Sequence, residues 1–447
     1  MKILQDGLKP TLMLTIIGLA LGGLLLFQRP ARALPSYARQ TGMACNLCHT
    51  VFPELTEFGR TFKASGYTLS QMKKIQSPQS AKLAPLDLND TLPLSVMAQV
   101  AYTGIQESVS GTQNNDIQLP QQLSLFLAGE ITPHIGSFVQ TTYTQVDDHL
   151  TMDNTDLRYA NTAQMSGKPL VYGLTLNNNP TVEDLWNSTP AWSFPYASAD
   201  VAPTPAAGAL IDGGLAQQVA GLGGYGFWDN SYYAAVAIYR SAQIGQASPP
   251  DDTSQNTINN VAPYWRLAWQ HPLGPGSFEV GTYGLYAELY PSGVSGSTDQ
   301  YTDYALDASY RHPLGNHQLS FHATYIYENQ KLNASVPADT GHHLNTYRLD
   351  ANYYLGGSVA LTLAYFRTDG DENPGLYSPA PVTGSRNFKP DSEAYIAQIG
   401  YYPWQNVRLS AQYIYYDKFN GSDTNYDGFD RQATDNNTLY LMAWLVW

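Results

Sequence analysis

Most of the chain, from about residue 94 onward, alternates apolar and polar residues with a period of two. Between Thr346 and Leu355 the apolar residues fall on odd numbers, with Tyr354 as the exception, and the polar residues fall on even ones. The same alternation recurs in the runs 303–311, 318–328 and 406–416. Successive side chains of a β-strand point to opposite faces, so each run predicts a strand with one apolar and one polar face.

The number of these runs and the lengths between them predict a closed barrel. We count about sixteen predicted strands, joined alternately by short turns and by long loops such as 179–213, 242–260, 329–342, 368–391 and 417–436. This is the pattern of outer-membrane β-barrels, in which apolar side chains face lipid and polar ones face the lumen. A soluble β-sandwich is the alternative, but Tyr at many strand ends favours the aromatic girdles of a membrane barrel. The sequence predicts an all-β, 16-stranded transmembrane barrel over 94–447, with both barrel termini in the periplasm.

Composition excludes two other classes of protein. Only 13% of the residues are charged, and the mean hydropathy of −0.28 argues against a bundle of apolar membrane helices. The formal net charge is −14, which argues against nucleic acid as a partner because phosphate binding needs a basic surface. A strongly acidic protein attracts cations instead.

Residues 1–33 have the features of an export signal. Lys2 and Lys9 give a positive start, an apolar run extends from Leu12 to Phe27, and the segment ends in Ala31-Arg32-Ala33. These features predict cleavage after Ala33 and export from the cytoplasm; an uncleaved membrane anchor is the alternative.

Both cysteines of the chain lie in the motif Cys45-Asn46-Leu47-Cys48-His49. This spacing is typical of c-type haem attachment, in which two thiols form thioethers to one haem and the adjacent His49 binds its iron. A zinc site would need a second Cys/His pair at ligand spacing, and a thioredoxin-like site would need a βαβ context. The motif therefore predicts one covalent haem c.

The segment 34–69 around the motif is too short to build a core of its own. We predict a helix over Val51–Lys63, ended at Gly66, with Leu55, Phe58 and Phe62 on one apolar face. A polar, Pro-bearing linker spans 70–93. The simplest arrangement places the haem segment inside the barrel as a small helical plug, because the wall then supplies the missing apolar surroundings.

The sixth ligand of the haem iron is not readable from spacing. Candidate residues are Met43, Met72, Met97, His134 and His149. We favour Met72 or Met97, since a Met ligand raises the reduction potential relative to His.

The N-terminal motifs resemble those of a known family. They comprise the run Leu34–Met43, CNLCH, Phe52-Pro53-Glu54-Leu55, Gly59-Arg60, Phe62-Lys63 and Gly66-Tyr67, followed by the barrel. Together they resemble the fused monohaem cytochrome–porin family of iron-oxidising bacteria. The resemblance implies an outer-membrane oxidoreductase that takes electrons from extracellular Fe(II) and passes them through its haem to a periplasmic c-type cytochrome or copper protein. It also implies that Cys45 and Cys48 attach the haem and that His49 ligates it.

Other functions remain open at this stage. The chain could be a porin-type channel with an accessory haem, or a haem protein serving another electron donor or sensing a small molecule. Acidic loop residues are candidates for drawing in a cation, or are simply solvated loop charges; they are Asp251, Asp252, Asp369, Asp371, Glu372, Asp423, Asp427 and Asp430. Residues 423–428 match the first half of a calcium loop, but Thr434 stands where Glu is expected.

Overall fold

The computed structural model describes residues 35–68, 74–76, 87–110, 114–242, 257–291, 295–336 and 341–447. The predicted export signal, Met72 and the Asp251-Asp252 pair lie outside these residues. The described helices are α1 (Pro35–Thr41), α2 (Cys45–Cys48) and α3 (Glu57–Ala64). The described strands are β1 (Lys74–Gln76), β2 (Asp87–Asn89), β3 (Leu94–Ile105), β4 (Asp116–Thr132), β5 (Ile135–Thr144), β6 (His149–Met165), β7 (Lys168–Asn177), β8 (Val219–Trp228), β9 (Tyr232–Ser241), β10 (Thr257–Ile258), β11 (Ala262–Leu273), β12 (Gly276–Tyr290), β13 (Asp299–Leu314), β14 (His317–Lys331), β15 (His342–Leu355), β16 (Val359–Gly370), β17 (Ser392–Trp404), β18 (Val407–Lys418) and β19 (Thr438–Val446).

Strands β3–β9 and β11–β19 form a closed antiparallel barrel of sixteen strands. Each strand pairs with its neighbour in sequence, β9 pairs with β11, and β19 pairs with β3 to close the ring. The short β10 pairs with β12, and β1 and β2 form a separate two-stranded sheet within the predicted linker. The predicted all-β, sixteen-stranded fold is confirmed.

The two faces of the barrel divide as the alternation predicts. On β13, Leu306 faces outward and is 60% exposed, whereas Asp303 and Asp307 face inward and are buried. Leu363 of β16 is 67% exposed on the same outer surface. The outside of the wall is therefore apolar, and the inside carries the polar side chains. Within the described residues, no helix has the length and apolar character needed to cross a bilayer.

The segment 178–218 between β7 and β8, here called the inner loop, folds into the lumen. The sequence predicted a long loop over 179–213 but did not predict that this loop enters the lumen. Its residues Val182, Leu185 and Asp184 are fully buried. The guanidinium of Arg266 on β11 holds the loop through an ion pair of 2.9 Å to Asp184. An inward-facing charge of the wall thus attracts a loop that the strand pattern alone cannot locate.

The helical segment occupies the lumen, as predicted. Residues from β3, β4 and β5 hold α1: the amide of Ser36 donates to Ser95 Oγ at 2.7 Å, and Gln40 Nε2 donates to the carbonyl of Ala128 at 2.8 Å. A Cβ atom at Gly129 of β4 would collide with the Gln40 side chain. On the other side of the ring, Ser320 Oγ of β14 donates to Glu54 Oε1 at 2.7 Å. We call residues 35–68 the plug.

The predicted helix over 51–63 begins later than expected. Residues 51–53 form a turn, and α3 starts at Glu57 after Thr56, whose side chain accepts a hydrogen bond from the amide of Gly59. A capping side chain satisfies one of the first unpaired amides, so it sets the start of the helix. The predicted stop is confirmed, because Gly66 adopts a φ of 68° directly after the helix. Helix α1 was not predicted, since its seven residues are too few to show a clear periodicity.

Candidate functional site

Helix α2 places both cysteines of the motif on one short turn. Cys45 and Cys48 are three residues apart, so their side chains share one face of the turn. The amide of His49 donates to the carbonyl of Cys45 at 2.8 Å, and the amide of Thr56 donates to the carbonyl of Cys48 at 2.9 Å. A Cβ at Gly59 would collide with that same Cys48 carbonyl. Glycine at this position therefore lets α3 pack directly against the motif.

The ring of His49 is oriented by a backbone carbonyl. Its Nδ1 lies 3.2 Å from the oxygen of Glu54, and because a carbonyl only accepts, Nδ1 carries the proton and donates. Burial lowers the pKa of His49 to about 4, against the smaller opposite effect of hydrogen bonds to the Glu54 and Pro53 carbonyls. The imidazole is therefore neutral near pH 7, with the lone pair on Nε2. A metal-binding histidine needs this tautomer and this kind of support.

A cavity of about 600 Å³ lies against the motif. This volume is within the range of roughly 300–1,000 Å³ that is typical of cofactor and ligand sites. Aromatic and other side chains from the plug, the wall and the inner loop line it; they include Tyr37, Cys45, Cys48, His49, Phe52, Phe62, Met97, Phe126, Phe138, Trp192, Tyr196, Tyr354, Tyr402, Arg408 and Trp444. The space is therefore mostly apolar, with the two thiols and one neutral imidazole at one side.

The environment of Cys48 differs from that of a redox-active thiol. Burial raises the pKa of Cys48 to about 11, so its thiol is protonated near neutral pH. Reactive cysteines have lowered pKa values, because the thiolate is the nucleophile. The alternative of a thioredoxin-like redox pair therefore has no electrostatic support here.

Several buried donors at the cavity wall have no partner. Within the described residues, Arg408 Nε and Nη1, Trp444 Nε1 and Gln405 Nε2 make no hydrogen bond. The guanidinium of Arg408 lies 5.6 Å from the centre of the Trp444 ring, and Gln405 Oε1 accepts from the amide of Cys45 at 3.1 Å. A buried cation without a counter-charge is costly. An anionic group in the cavity would complete this corner, and the carboxylates of a haem fit it.

The candidates for a sixth iron ligand separate by position. Met97 of β3 lines the cavity and is only 3% exposed. His134 Nδ1 lies 3.2 Å from the carbonyl oxygen of Ala160, and His149 Nδ1 lies 2.5 Å from the carbonyl oxygen of Asp147. Neither histidine lines the cavity, and Met43 does not line it either. Met72 lies outside the described residues. Met97 is thus the described candidate that faces the site.

Lys63 joins the plug to the inner loop, a contact that sequence analysis did not predict. Its Nζ donates to the carbonyls of Val182 and Asp184 at 2.8 and 2.5 Å and to Asn187 Oδ1 at 2.9 Å. Burial lowers the pKa of Lys63 to about 7, and the nearby Arg158 lowers it further while carboxylates oppose the shift. These partners lie more than a hundred residues away along the chain, so no local pattern indicates them.

Part of the acidic loop charge holds the loops themselves together. Asp427 is buried and accepts hydrogen bonds from the amides of Val382, Phe429 and Arg431. Asp369 pairs with Arg367 at 3.0 Å. These contacts favour a structural role for both residues. Attraction of a cation by the remaining acidic residues stays a prediction.

Comparison with solved structures supports the class of fold. The outer membrane channel DcaP of Acinetobacter baumannii matches with a TM-score of 0.50 and 14% identity, covering 79% of this chain and 96% of that one. The anion-selective porin from Comamonas acidovorans and Salmonella typhi OmpF each give a TM-score of 0.46 at 14% identity, covering 79% of this chain. The matches cover 98% of the Comamonas porin chain and 97% of the OmpF chain. The chain has a porin-type β-barrel fold.

Two further comparisons found no relatives. No protein-family model matches the chain, and no curated protein matches it. The likeness to porins concerns the barrel, whereas the plug with its cysteine motif is a feature of this chain.

Proposed function

We propose that this protein is an outer-membrane c-type cytochrome fused to a porin, which oxidises extracellular Fe(II) and passes single electrons to a periplasmic carrier. The observation that carries the proposal is the CNLCH turn at the wall of an apolar cavity, with His49 neutral and its Nδ1 already engaged. A covalent haem in this cavity would supply one-electron chemistry by cycling between ferric and ferrous iron.

The residues around the cavity fit that cofactor. Cys45 and Cys48 would hold it through thioethers, and His49 would bind the iron through Nε2. Arg408, Trp444 and Gln405 present unsatisfied donors for its carboxylates. The aromatic part of the lining would lower the local dielectric, one of the means by which a protein sets a redox potential.

The position of the barrel follows from its surface. Large apolar side chains on the outer face, such as Leu306 and Leu363, suit contact with outer-membrane lipid. The plug lies near the short turns, because Gln405 in the turn between β17 and β18 contacts Cys45. In outer-membrane barrels the short turns face the periplasm, which puts both barrel termini and the electron acceptor on that side. The acceptor would be a c-type cytochrome or a copper protein.

The plugged lumen suits transfer of electrons across the membrane without passage of the iron. Fe(II) would reach the plug from the outer side and leave by the same side as Fe(III), while the electron continues through the plug. Hydrogen bonds from two sides of the barrel wall hold the plug in the lumen. The cysteine motif and the plug in the lumen together support the proposed oxidoreductase activity.

A porin-type channel with an accessory haem is the second candidate, favoured by the fold alone. A haem conduit for a donor other than iron is a variant of the first.

Anaerobic stopped-flow mixing of the purified ferric protein with Fe(II) tests the leading proposal. We expect the spectrum of a reduced c-type haem to appear, and to be absent in a Cys45→Ala, Cys48→Ala double variant. A wild-type haem that stays ferric with Fe(II) but reduces with dithionite would overturn iron as the donor. Absence of covalent haem would overturn the cytochrome itself.

A further inference from the structure

Three side chains with metal-binding atoms meet where the plug contacts strands β14 and β15. They are Glu54 of the plug, His322 of β14 and Asp350 of β15, and their donor atoms all lie within 4.8 Å of one another. His322 Nδ1 is 2.8 Å from Asp350 Oδ2 and 3.7 Å from Glu54 Oε1. The side chain of Glu54 is fully buried. The cluster is therefore assembled only when the plug is seated in the barrel.

The spacing suits a small divalent cation. With metal–ligand bonds of about 2.1 Å, two ligands at right angles lie about 3 Å apart and two opposite ligands about 4.2 Å apart. The distances of 2.8 and 3.7 Å are close to this range. One imidazole and two carboxylates form a mixed nitrogen and oxygen set, which suits iron, manganese, cobalt or zinc ions. A bound cation would take the place of the proton that Nδ1 otherwise donates to Asp350.

Neighbouring groups hold the two carboxylates in place. Asn352 Nδ2 donates to Glu54 Oε1 at 2.9 Å and to Asp350 Oδ2 at 2.7 Å, which fixes one carboxylate relative to the other. Thr50 Oγ1 donates to the second oxygen of Glu54 at 2.8 Å. Outer hydrogen bonds of this kind orient metal ligands. The same hydrogen bonds would also be present if the cluster were only a hydrogen-bonded contact between plug and wall, with no metal. The experiment must distinguish these two cases.

A second observation points to a ligand at this place. The His322 side chain is only 7% exposed, and its Nε2 has no hydrogen-bond partner among the described residues. His322 and Asp350 also line a cavity of about 340 Å³, bounded on its other side by the inner loop. The imidazole is thus buried, and with a cation on Nδ1 its Nε2 would carry the proton, beside a space that a hydrated ion can enter.

The electrostatic balance of the cluster favours an exchangeable ion. The buried guanidinium of Arg311 on β13 lies within electrostatic range of Glu54 and offsets part of the carboxylate charge. A site with less net negative charge holds a dication less tightly, and a substrate ion must be able to leave after reaction. Arg311 thus argues against a permanently bound structural metal.

The cluster is directly connected to the haem-attachment motif. The same residue, Glu54, offers its side chain to the cluster and its backbone oxygen to His49 Nδ1 at 3.2 Å.

We propose that Glu54, His322 and Asp350 form an exchangeable divalent transition-metal site, at which Fe(II) binds before it is oxidised. The identity of the ion rests on the proposed function. In that step Fe(II) loses one electron and becomes Fe(III), and the ferric haem iron gains this electron and becomes ferrous.

Mn²⁺ binding to the purified, haem-loaded ferric protein tests the site without electron transfer. The six-line electron paramagnetic resonance signal of free Mn²⁺ decreases as the ion binds. We expect about one bound ion per chain in the wild type, and at least a tenfold weaker affinity in His322→Gln and Asp350→Asn. The matched control is Asp116→Asn, which removes the same charge from an exposed residue at the start of β4, outside the cluster and outside the acidic loop residues named above. Heat-dependent mobility in gel electrophoresis verifies that each variant barrel is folded.

The rate of haem reduction by Fe(II) forms the second readout. The proposal predicts that the half-saturating Fe(II) concentration rises at least tenfold in the two cluster variants and stays unchanged in Asp116→Asn. Equal Mn²⁺ affinity in all four proteins, or no stoichiometric binding in the wild type, would overturn the site and leave a hydrogen-bonded contact. Reduction by Fe(II) with identical kinetics in all four would overturn it while the proposed function stands. Mn²⁺ binding that depends on the cluster, without any reduction by Fe(II), would support the metal site and overturn iron oxidation.

Discussion

The imidazole Nδ1 of His49 lies 3.2 Å from the backbone oxygen of Glu54, and Glu54 is fully buried between the plug and the barrel wall. The residue that orients the predicted iron ligand is therefore the residue that anchors the plug to β14 and β15. Glu54 therefore links the ring of His49 to the contact between the plug and the wall. The candidate site and the packing of the plug against the wall share this residue.

Arg408→Gln should lower the midpoint potential of the haem. The substitution removes a buried positive charge beside the cavity, and a positive charge favours the ferrous state. We expect a shift on the order of a tenfold change in the reduction equilibrium, which is about 59 mV for one electron. A spectroelectrochemical titration measures it. The exposed Arg240→Gln is the control, and equal shifts in both variants would contradict the role of Arg408.

Met97→Ala should lower the midpoint potential and abolish the charge-transfer band of a Met–iron bond, if the thioether binds the iron. Met97 lines the cavity, and loss of a Met ligand removes its stabilisation of ferrous iron. The matched control is Met442→Ala, a buried residue of β19 that does not line the cavity. An unchanged spectrum and potential in Met97→Ala would leave the sixth position to Met72, to another residue or to water.

Gly59→Ala should destabilise the packing of α3 on the cysteine turn. The added Cβ collides with the carbonyl of Cys48, which is backbone and does not move aside easily. Overpacking of this kind costs about 1–3 kcal/mol. We expect less covalent haem per chain in the pyridine haemochrome assay. Gly208→Ala, where the added atom meets no neighbour within 4 Å, should keep the wild-type haem content, and equal yields would contradict the prediction.

The stability of the seated plug should rise with pH between about 7 and 10.5 because of Lys63. Its pKa is about 7 in the folded protein against an ordinary value of 10.5, so in this window the unfolded chain binds more protons. Stability then increases with pH, with a slope of up to about 1.4 kcal/mol per pH unit, and the penalty is constant below pH 7. Urea denaturation followed by tryptophan fluorescence measures the slope. Lys63→Met should abolish it, and parallel curves for the two proteins would contradict this assignment.

Removal of the plug should open the lumen. A chain that lacks residues 35–68 keeps all sixteen barrel strands and the inner loop, and a barrel of this size is wide enough for an aqueous channel beside such a loop. We expect a much larger single-channel conductance in planar bilayers than for the intact protein. Equal conductance of both proteins would show that the plug does not close the pore, and would favour the porin-type alternative.

Local patterns were sufficient to predict the strands and the short turns of the barrel. The alternation around Leu349 and Leu409 indicates the outer face, and both side chains are exposed there. Alternation is a property of neighbouring residues, and so is the spacing of Cys45, Cys48 and His49. The prediction that a segment too small to fold alone lies in the barrel also followed from the sequence, since it needs only the length of the segment and the number of strands.

Only the tertiary structure decided which residues surround the motif. Asp184 and Arg266 meet because an inward charge on β11 attracts the inner loop, and Glu54 meets His322 and Asp350 because the plug is seated against two strands far away in sequence. Such contacts depend on three-dimensional distance, and no periodicity along the chain encodes the partner of a buried charge. The sequence by itself therefore determined the barrel and the cysteine motif, whereas the cavity, its unsatisfied donors and the proposed metal-binding cluster exist only once the chain closes around the plug.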